Sequence, residues 1–209
     1  TISITCIGEA AKEDIVYRNG AKETDLICVS GDLGAAYMGL QILEREKAVY
    51  NQQVTEATQQ ARKNGSNVEE AIAQIPQPDF AGKEYLLERQ MKPEARKDII
   101  EKLRQANVKI TSMIDISDGL SSELMHICEQ SRCGCRIYED RIPLDYQTAV
   151  AAEEFNMNVS TCALNGGEDY ELLFTVPLTA NDVVSAIEDV KVIGYITNES
   201  LGKALISRD

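Results

Sequence analysis

The stretch MIDISDGLSSEL, residues 113–124, joins an apolar run that reads as a strand to a segment that reads as the first turns of a helix. Two carboxylates, Asp115 and Asp118, flank Ser117 at that junction. A helix N-terminus exposes unpaired N–H groups and partial positive charge, which suit an acidic cap or a phosphate oxygen. Asp118 fits such a cap. Asp115 lies earlier, at the strand end where ligands bind in α/β sheets, and capping does not account for it. Two hard oxygen donors and a hydroxyl at one junction make a plausible seat for magnesium ions carrying nucleotide phosphates. On spacing alone the plainer reading, a cap beside an exposed loop acid, is the stronger of the two.

Working outward, the pattern alternates. The spacing predicts strand 108–116, helix 119–131, strand 135–139, helix 145–155, strand 170–176, helix 179–189, strand 191–196 and a last strand near 203–207. Upstream, TDLICVSG reads as a short apolar strand ending at Gly31, and a helix follows from Ala35, with Leu40, Leu43, Lys47, Tyr50 and Val54 recurring at helical spacing until Asn64-Gly65. Its second half is polar and Gln-rich, as a solvent-exposed helix or insertion would be. Ser66 with Glu69 fits a capping box for a short helix to about Gln74. Pro76 and Pro78 then break the chain into a loop, and Pro93 opens a helix over 93–106 with Ile99, Ile100, Leu103 and Ala106 as its apolar face. The opening TISITCIGEA alternates with period two and reads as a strand entered mid-domain. Together these predict the α/β (α+β) class, a mixed β-sheet layered with helices.

Composition narrows the function. Of the 209 residues, 44% are apolar, enough for a real core; no window approaches 18 uninterrupted apolar residues, and the first residues show neither a basic n-region nor a cleavable apolar segment, which argues against membrane and secretory readings. A cytoplasmic protein is the expectation. The net charge of −13 argues against a nucleic-acid partner, which needs clustered Lys and Arg. A polyphosphate ligand would need divalent cations to bridge it to the carboxylates. The six cysteines are spread out, and Cys133 with Cys135 has no second pair or histidine nearby to complete a tetrahedral zinc site, so reduced thiols are expected.

Two further stretches bear on chemistry. In LNGGEDYELLF, residues 164–174, Gly166 and Gly167 precede Glu168 and Asp169 at a strand start; a turn with solvated acids is the plain reading. In VSGDLGAAYMGL, residues 29–40, a glycine-rich turn joins strand to helix, yet it is neither GxxxxGK[ST] nor GxGxxG. The single histidine, His126, has no evident catalytic partner. No nucleophile elbow, zinc motif or protein-kinase catalytic loop is present.

Taken in order, YRNGAK, VSGDLGAAYMGLQIL, YLLERQMKPEAR, MIDISDGLSSEL and LNGGEDYELLFTV resemble the thiamine-monophosphate kinase family, which groups with aminoimidazole ribonucleotide synthetase, selenophosphate synthetase and a hydrogenase-maturation protein. The resemblance spans about residues 1 to 205. It implies direct, ATP-dependent transfer of the γ-phosphoryl group onto thiamine monophosphate, giving thiamine diphosphate. By the same resemblance Asp115 and Asp118 would bind Mg2+, Ser117 and Arg18 would contact ATP, and Glu168 would contact the substrate. It also implies a homodimer and a division of the chain: residues 1–24 as the end of a truncated N-terminal domain, strand and turn, and 25–209 as a C-terminal α/β domain with an insertion-like segment at about 49–82. The family's further acidic and nucleotide-binding motifs would precede Thr1, so little or no kinase activity is expected of these residues alone. A related ATP-dependent synthetase with another phosphorylated substrate, or a non-catalytic binding module, is the rival reading.

Overall fold

Leu26–Ser30 (β1) is buried along its whole length, and the rest of the molecule is arranged around it. The computed structural model describes residues 2–207; Thr1, the first residue of the expected opening strand, lies outside the described residues. The strands are β1, β2 (Ser112–Asp115), β3 (Cys133–Tyr138), β4 (Leu172–Val176), β5 (Val190–Asn198) and β6 (Lys203–Ile206). They form one sheet in the order β2-β4-β1-β5-β3-β6, antiparallel throughout except for β3 and β6. The mixed, helix-layered sheet expected from the sequence is what forms.

Alternation along β1 explains the two cores. Ile27 and Val29 pack with Leu120, Leu124 and Ile127 of helix α5 (Leu120–Ser131) on one face. Leu26 and Cys28 face the other way, with Phe174 and Val176, against Ile99 and Leu103 of α4 (Lys97–Gln105) and Val184 of α8 (Asn181–Ser185). A third cluster is helical: Ala35, Met38 and Ile42 of α1 (Ala35–Asn64), Leu86 and Leu87 of α3 (Glu84–Met91), Ala151 and Ala152 of α6 (Tyr146–Glu154), and Cys162 of α7 (Val159–Asn165). A strand covered on both sides carries apolar residues at successive positions, which is why LICVS shows no polar face.

Several expectations are corrected. Residues 2–11 form no strand; Ile2, Ile4 and Ile7 are about nine-tenths exposed, because a strand needs a partner and none of the described strands pairs with them. The short helix α2 (Val68–Ala73) is capped by Asn67, whose side chain accepts from Glu69 N, and not by Ser66. Helix α4 starts at Lys97, four residues after Pro93, and the expected loop before it contains α3. Helix α7 fills what read as a connection, and the expected helix 179–189 is a 3-10 turn followed by the short α8. The second half of α1 is largely exposed, as its composition suggests.

Two changes separate the buried scaffold from the exposed segment. Deleting residues 2–13 should shift Tm by no more than about 2 °C, the scale of a surface change in a domain this size. Phe174→Ala should destabilise by about 3–5 kcal/mol, read from chemical denaturation.

Candidate functional site

Because β4 runs antiparallel to both β1 and β2, the ends of β1 and β2 and the start of β4 share one rim of the sheet. Beyond the last ladder pair, Asp115 with Leu172, the two chains stay laced. Ile116 N donates to Glu171 O at 2.7 Å, Tyr170 N to Ile116 O at 2.9 Å, and Glu168 N to Ser117 O at 2.8 Å. This sets DISDG directly against GGEDYE. Glycine is required on both sides of the seam: at Gly167 (φ 70) a Cβ would stand 2.5 Å from Ser117 O, and at Gly119 (φ 112) one would stand 2.7 Å from Leu164 O.

The acids of GGEDYEL alternate in direction. Asp169 and Glu171 are buried, whereas Glu168 is exposed and Tyr170 half-buried. Asp169 caps α1 from across the chain, its Oδ2 accepting from Gly34 N at 2.8 Å and its Oδ1 from Ala36 N at 3.3 Å, where Gly34 itself has no side chain to offer. Glu171 accepts from Ser30 Oγ at 2.5 Å, Arg96 at 2.6 Å and Arg89 at 2.8 Å. Arg89 also donates to the carbonyl of Asp32, whose carboxylate accepts from Tyr85 Oη at 2.6 Å. Burial, the leading cause, raises the pKa of Asp32 and pushes that of Asp169 up to about 6. The plain reading of this stretch as a turn with solvated acids therefore fails for Asp169.

On the outer side, Glu168 (φ 63) and Tyr170 (φ 51) both adopt the left-handed conformation that side chains seldom take and that gathers at functional sites. Tyr170 Oη donates to Glu168 Oε2 at 3.1 Å. That bond, the Glu168 charge, some burial and then the charges of Asp115 and Asp118 all raise the Tyr170 pKa, so one hydroxyl senses all three carboxylates. Asp115 and Asp118 are exposed, and among the described residues neither carboxylate has an ion pair or a side-chain hydrogen bond from the chain.

Arg18 sits nearer the other end of α5, its carbonyl accepting from Ser131 Oγ at 3.1 Å. Met113 N donates to Tyr17 O at 3.2 Å, which lays the chain along the outer edge of β2, and Arg18 and Asp115 line one cleft of about 470 Å³. Ser117 is half-buried between the two motifs, its carbonyl holding Glu168 N. The structure thus gathers Asp115, Ser117, Asp118 and Glu168 at one place, with Arg18 on a cleft that it shares with Asp115. One role changes: α5 has Gly119 at its N-cap with no side-chain cap bond, so Asp118 is not the cap. His126 is exposed on α5, and its charge acts on Glu123 of the same helix. The glycine-rich turn at 31–34 places Asp32 in the arginine and tyrosine network and forms no phosphate loop.

Sequence reading missed Glu123, which is 1% exposed. Its Oε1 accepts from Asp118 N at 3.2 Å, and its Oε2 has no partner among the described residues. Burial raises its pKa, and the Asp118 N–H opposes that shift. Among the described residues no group of three or more His, Cys, Asp and Glu is arranged to hold a metal by itself. Asp115 and Asp118 nevertheless fit part of a magnesium shell, since that ion takes one or two carboxylates and keeps several waters. An orphaned buried oxygen behind Asp118 is consistent with such a shell.

The family described as "AIR synthase related protein, C-terminal domain" matches residues 63–206. The chain belongs to that family. Within this AIR synthase related family, the chain is 29% identical over 212 residues to the thiamine-monophosphate kinase of Buchnera aphidicola subsp. Schizaphis graminum, covering 99% of this chain and 55% of that protein. It is 32% identical over 177 residues to the thiamine-monophosphate kinase of Aquifex aeolicus, covering 84% and 46%. The chain thus spans about half the length of the curated relatives it matches. The solved structure of AaThiL complexed with AMPPCP and TMP is similar with TM-score 0.65 and 26% identity over 92% of this chain and 50% of that one. Hydrogenase maturation protein HypE in complex with ATP, at 16% identity and TM-score 0.60, covering 96% and 52%, shares the fold. No helix among the described residues is long and apolar enough to cross a membrane.

The buried acid of the family motif carries a pH signature. Because the folded pKa of Asp169 lies above its unfolded value, its contribution to stability is fully present below about pH 4 and is lost as the pH rises through about 6. Asp169→Asn should remove that slope from a plot of denaturation midpoint against pH.

Proposed function

We propose that the chain is the nucleotide- and substrate-facing part of a thiamine-monophosphate kinase, transferring the γ-phosphoryl group of ATP to thiamine monophosphate. The observation that carries this is the seam holding Asp115, Ser117, Asp118 and Glu168 together, with Arg18 on a cleft shared with Asp115, in a chain similar along almost all its length to thiamine-monophosphate kinases. A phosphate oxygen of thiamine monophosphate attacks the γ-phosphorus, the bond from that phosphorus to the β-bridging oxygen breaks, and thiamine diphosphate and ADP leave. No covalent bond to the protein forms.

The residues act by position and charge. Asp115 and Asp118 would hold Mg2+. A bound magnesium ion supplies charge neutralisation and alignment of the phosphate oxygens. Arg18, across the cleft from Asp115, offers a planar fork of donors to phosphate oxygens. Ser117 offers a hydroxyl to the nucleotide at the seam between the motifs. Glu168, held by Tyr170, offers a carboxylate to the thiamine substrate, whose thiazolium is cationic. An acidic chain meets a polyphosphate this way without net repulsion, because the cations stand between them.

The resemblance also supports a homodimer, a cytoplasmic location and a need for ligands from outside these 209 residues. Light scattering on the purified protein tests the dimer; a strictly monomeric enzyme would remove it. In the complete enzyme, Asp115→Asn and Asp118→Asn should each lower Mg2+-dependent thiamine diphosphate formation by about 10²-fold or more, the loss seen when transition-state charge stabilisation is removed. Circular dichroism should be unchanged. Near-normal turnover in both variants would sink this assignment.

A further inference from the structure

Helix α5 turns Leu120, Glu123, Leu124 and Ile127 to the interior, a stripe at i, i+3, i+4 and i+7 in which the second member is an acid. A leucine there would satisfy the fold. Glu123 is instead a carboxylate buried to 1% exposure, with one oxygen on the main-chain N–H of Asp118 and the other on nothing among the described residues. A buried acceptor without a donor is costly, and native structures seldom keep one without a use. The bond to the Asp118 main chain accounts for only the first oxygen.

Asp118 is the position this acid controls. The loop from Ile116 to Gly119 is pinned on one side by the bonds to Tyr170 and Glu168, and Glu123 supplies the pin on the other. With both in place the exposed Asp118 carboxylate is held beside Asp115 and Glu168. Magnesium binds through few carboxylates and several waters, and those waters need acceptors behind the direct ligands.

We propose that Glu123 is a positioning residue for the cation: one oxygen fixes the Asp118 main chain, and the unpartnered oxygen accepts from a water that the cation carries. The inference rests on the reading of Asp115 and Asp118 as metal ligands. It gives the orphaned atom a donor and explains an acid in a core stripe.

Mn2+ is the probe, followed by paramagnetic broadening of the 15N-labelled complete enzyme. In the wild type, amides of 115–119 should broaden first as Mn2+ is added. Glu123→Gln keeps the acceptor for Asp118 N and loses the anionic oxygen. It should retain slow hydrogen exchange at the Asp118 amide while needing about tenfold more Mn2+, the scale of losing a group behind a metal ligand. Glu123→Ala should lose the slow exchange as well. Broadening of Glu123→Gln at the wild-type Mn2+ concentration, or an Asp118 amide still protected in Glu123→Ala, overturns the proposal. A wild-type complete enzyme with no broadening at 115–119 overturns the metal reading itself, and this inference with it, so the two failures are distinguishable.

Discussion

Everything at the rim depends on the main-chain seam between Ile116–Ser117 and Glu168–Glu171. It extends the β2–β4 ladder past the point where regular strand geometry ends. Left-handed backbone at Glu168 and Tyr170 is unfavourable in isolation and persists only where its surroundings over-determine it. Here the surroundings are inward-facing: Asp169 on the N-terminus of α1, and Glu171 between Ser30, Arg89 and Arg96. The buried acids set the loop, and the loop aims the exposed ones.

The same network joins the three cores. Asp169 ties β4 to the helical cluster through α1, and Glu171 ties the sheet to α3 and to the start of α4. A buried carboxylate with two arginines is weak evidence for net stability, since desolvation offsets much of the attraction. Its value here is geometric: breaking it by removing one partner leaves a buried charge and loosens the loop that carries Glu168.

The local chemistry of the site was legible in the sequence. Asp115, Ser117 and Asp118 share one short motif, and the alternation of Glu168, Asp169, Tyr170 and Glu171 is written in order, although reading it as a turn hid which acids face inward. The clamp was not legible, because Arg89 and Arg96 lie 82 and 75 residues from Glu171 and no periodic pattern reaches that far. In the fold, β1 was plain from an unbroken apolar run with a terminating glycine. Helix α7, seven residues beginning at a β-branched valine, has a local start signal in its Asn158 cap, and burial of Cys162 and Ala163 adds the packing that so short a helix needs. The opening TISITCIG had strand propensity without a neighbour, and propensity alone builds no sheet.

The clustered carboxylates at the rim put the domain's thermodynamics at odds with its chemistry. Asp115, Asp118 and Glu168 are like charges gathered on a loop that is held in place, all three near enough to act on the Tyr170 hydroxyl, so the folded state without a cation keeps together charges that the unfolded chain separates. A divalent ion then behaves as a folding ligand, and occupancy raises stability by mass action. Substitutions that neutralise these positions relieve the repulsion. A selection for thermal robustness and a selection for turnover would therefore rank the same few residues in opposite order, and a loss of Tm in Asp115→Asn without cation would contradict that ordering.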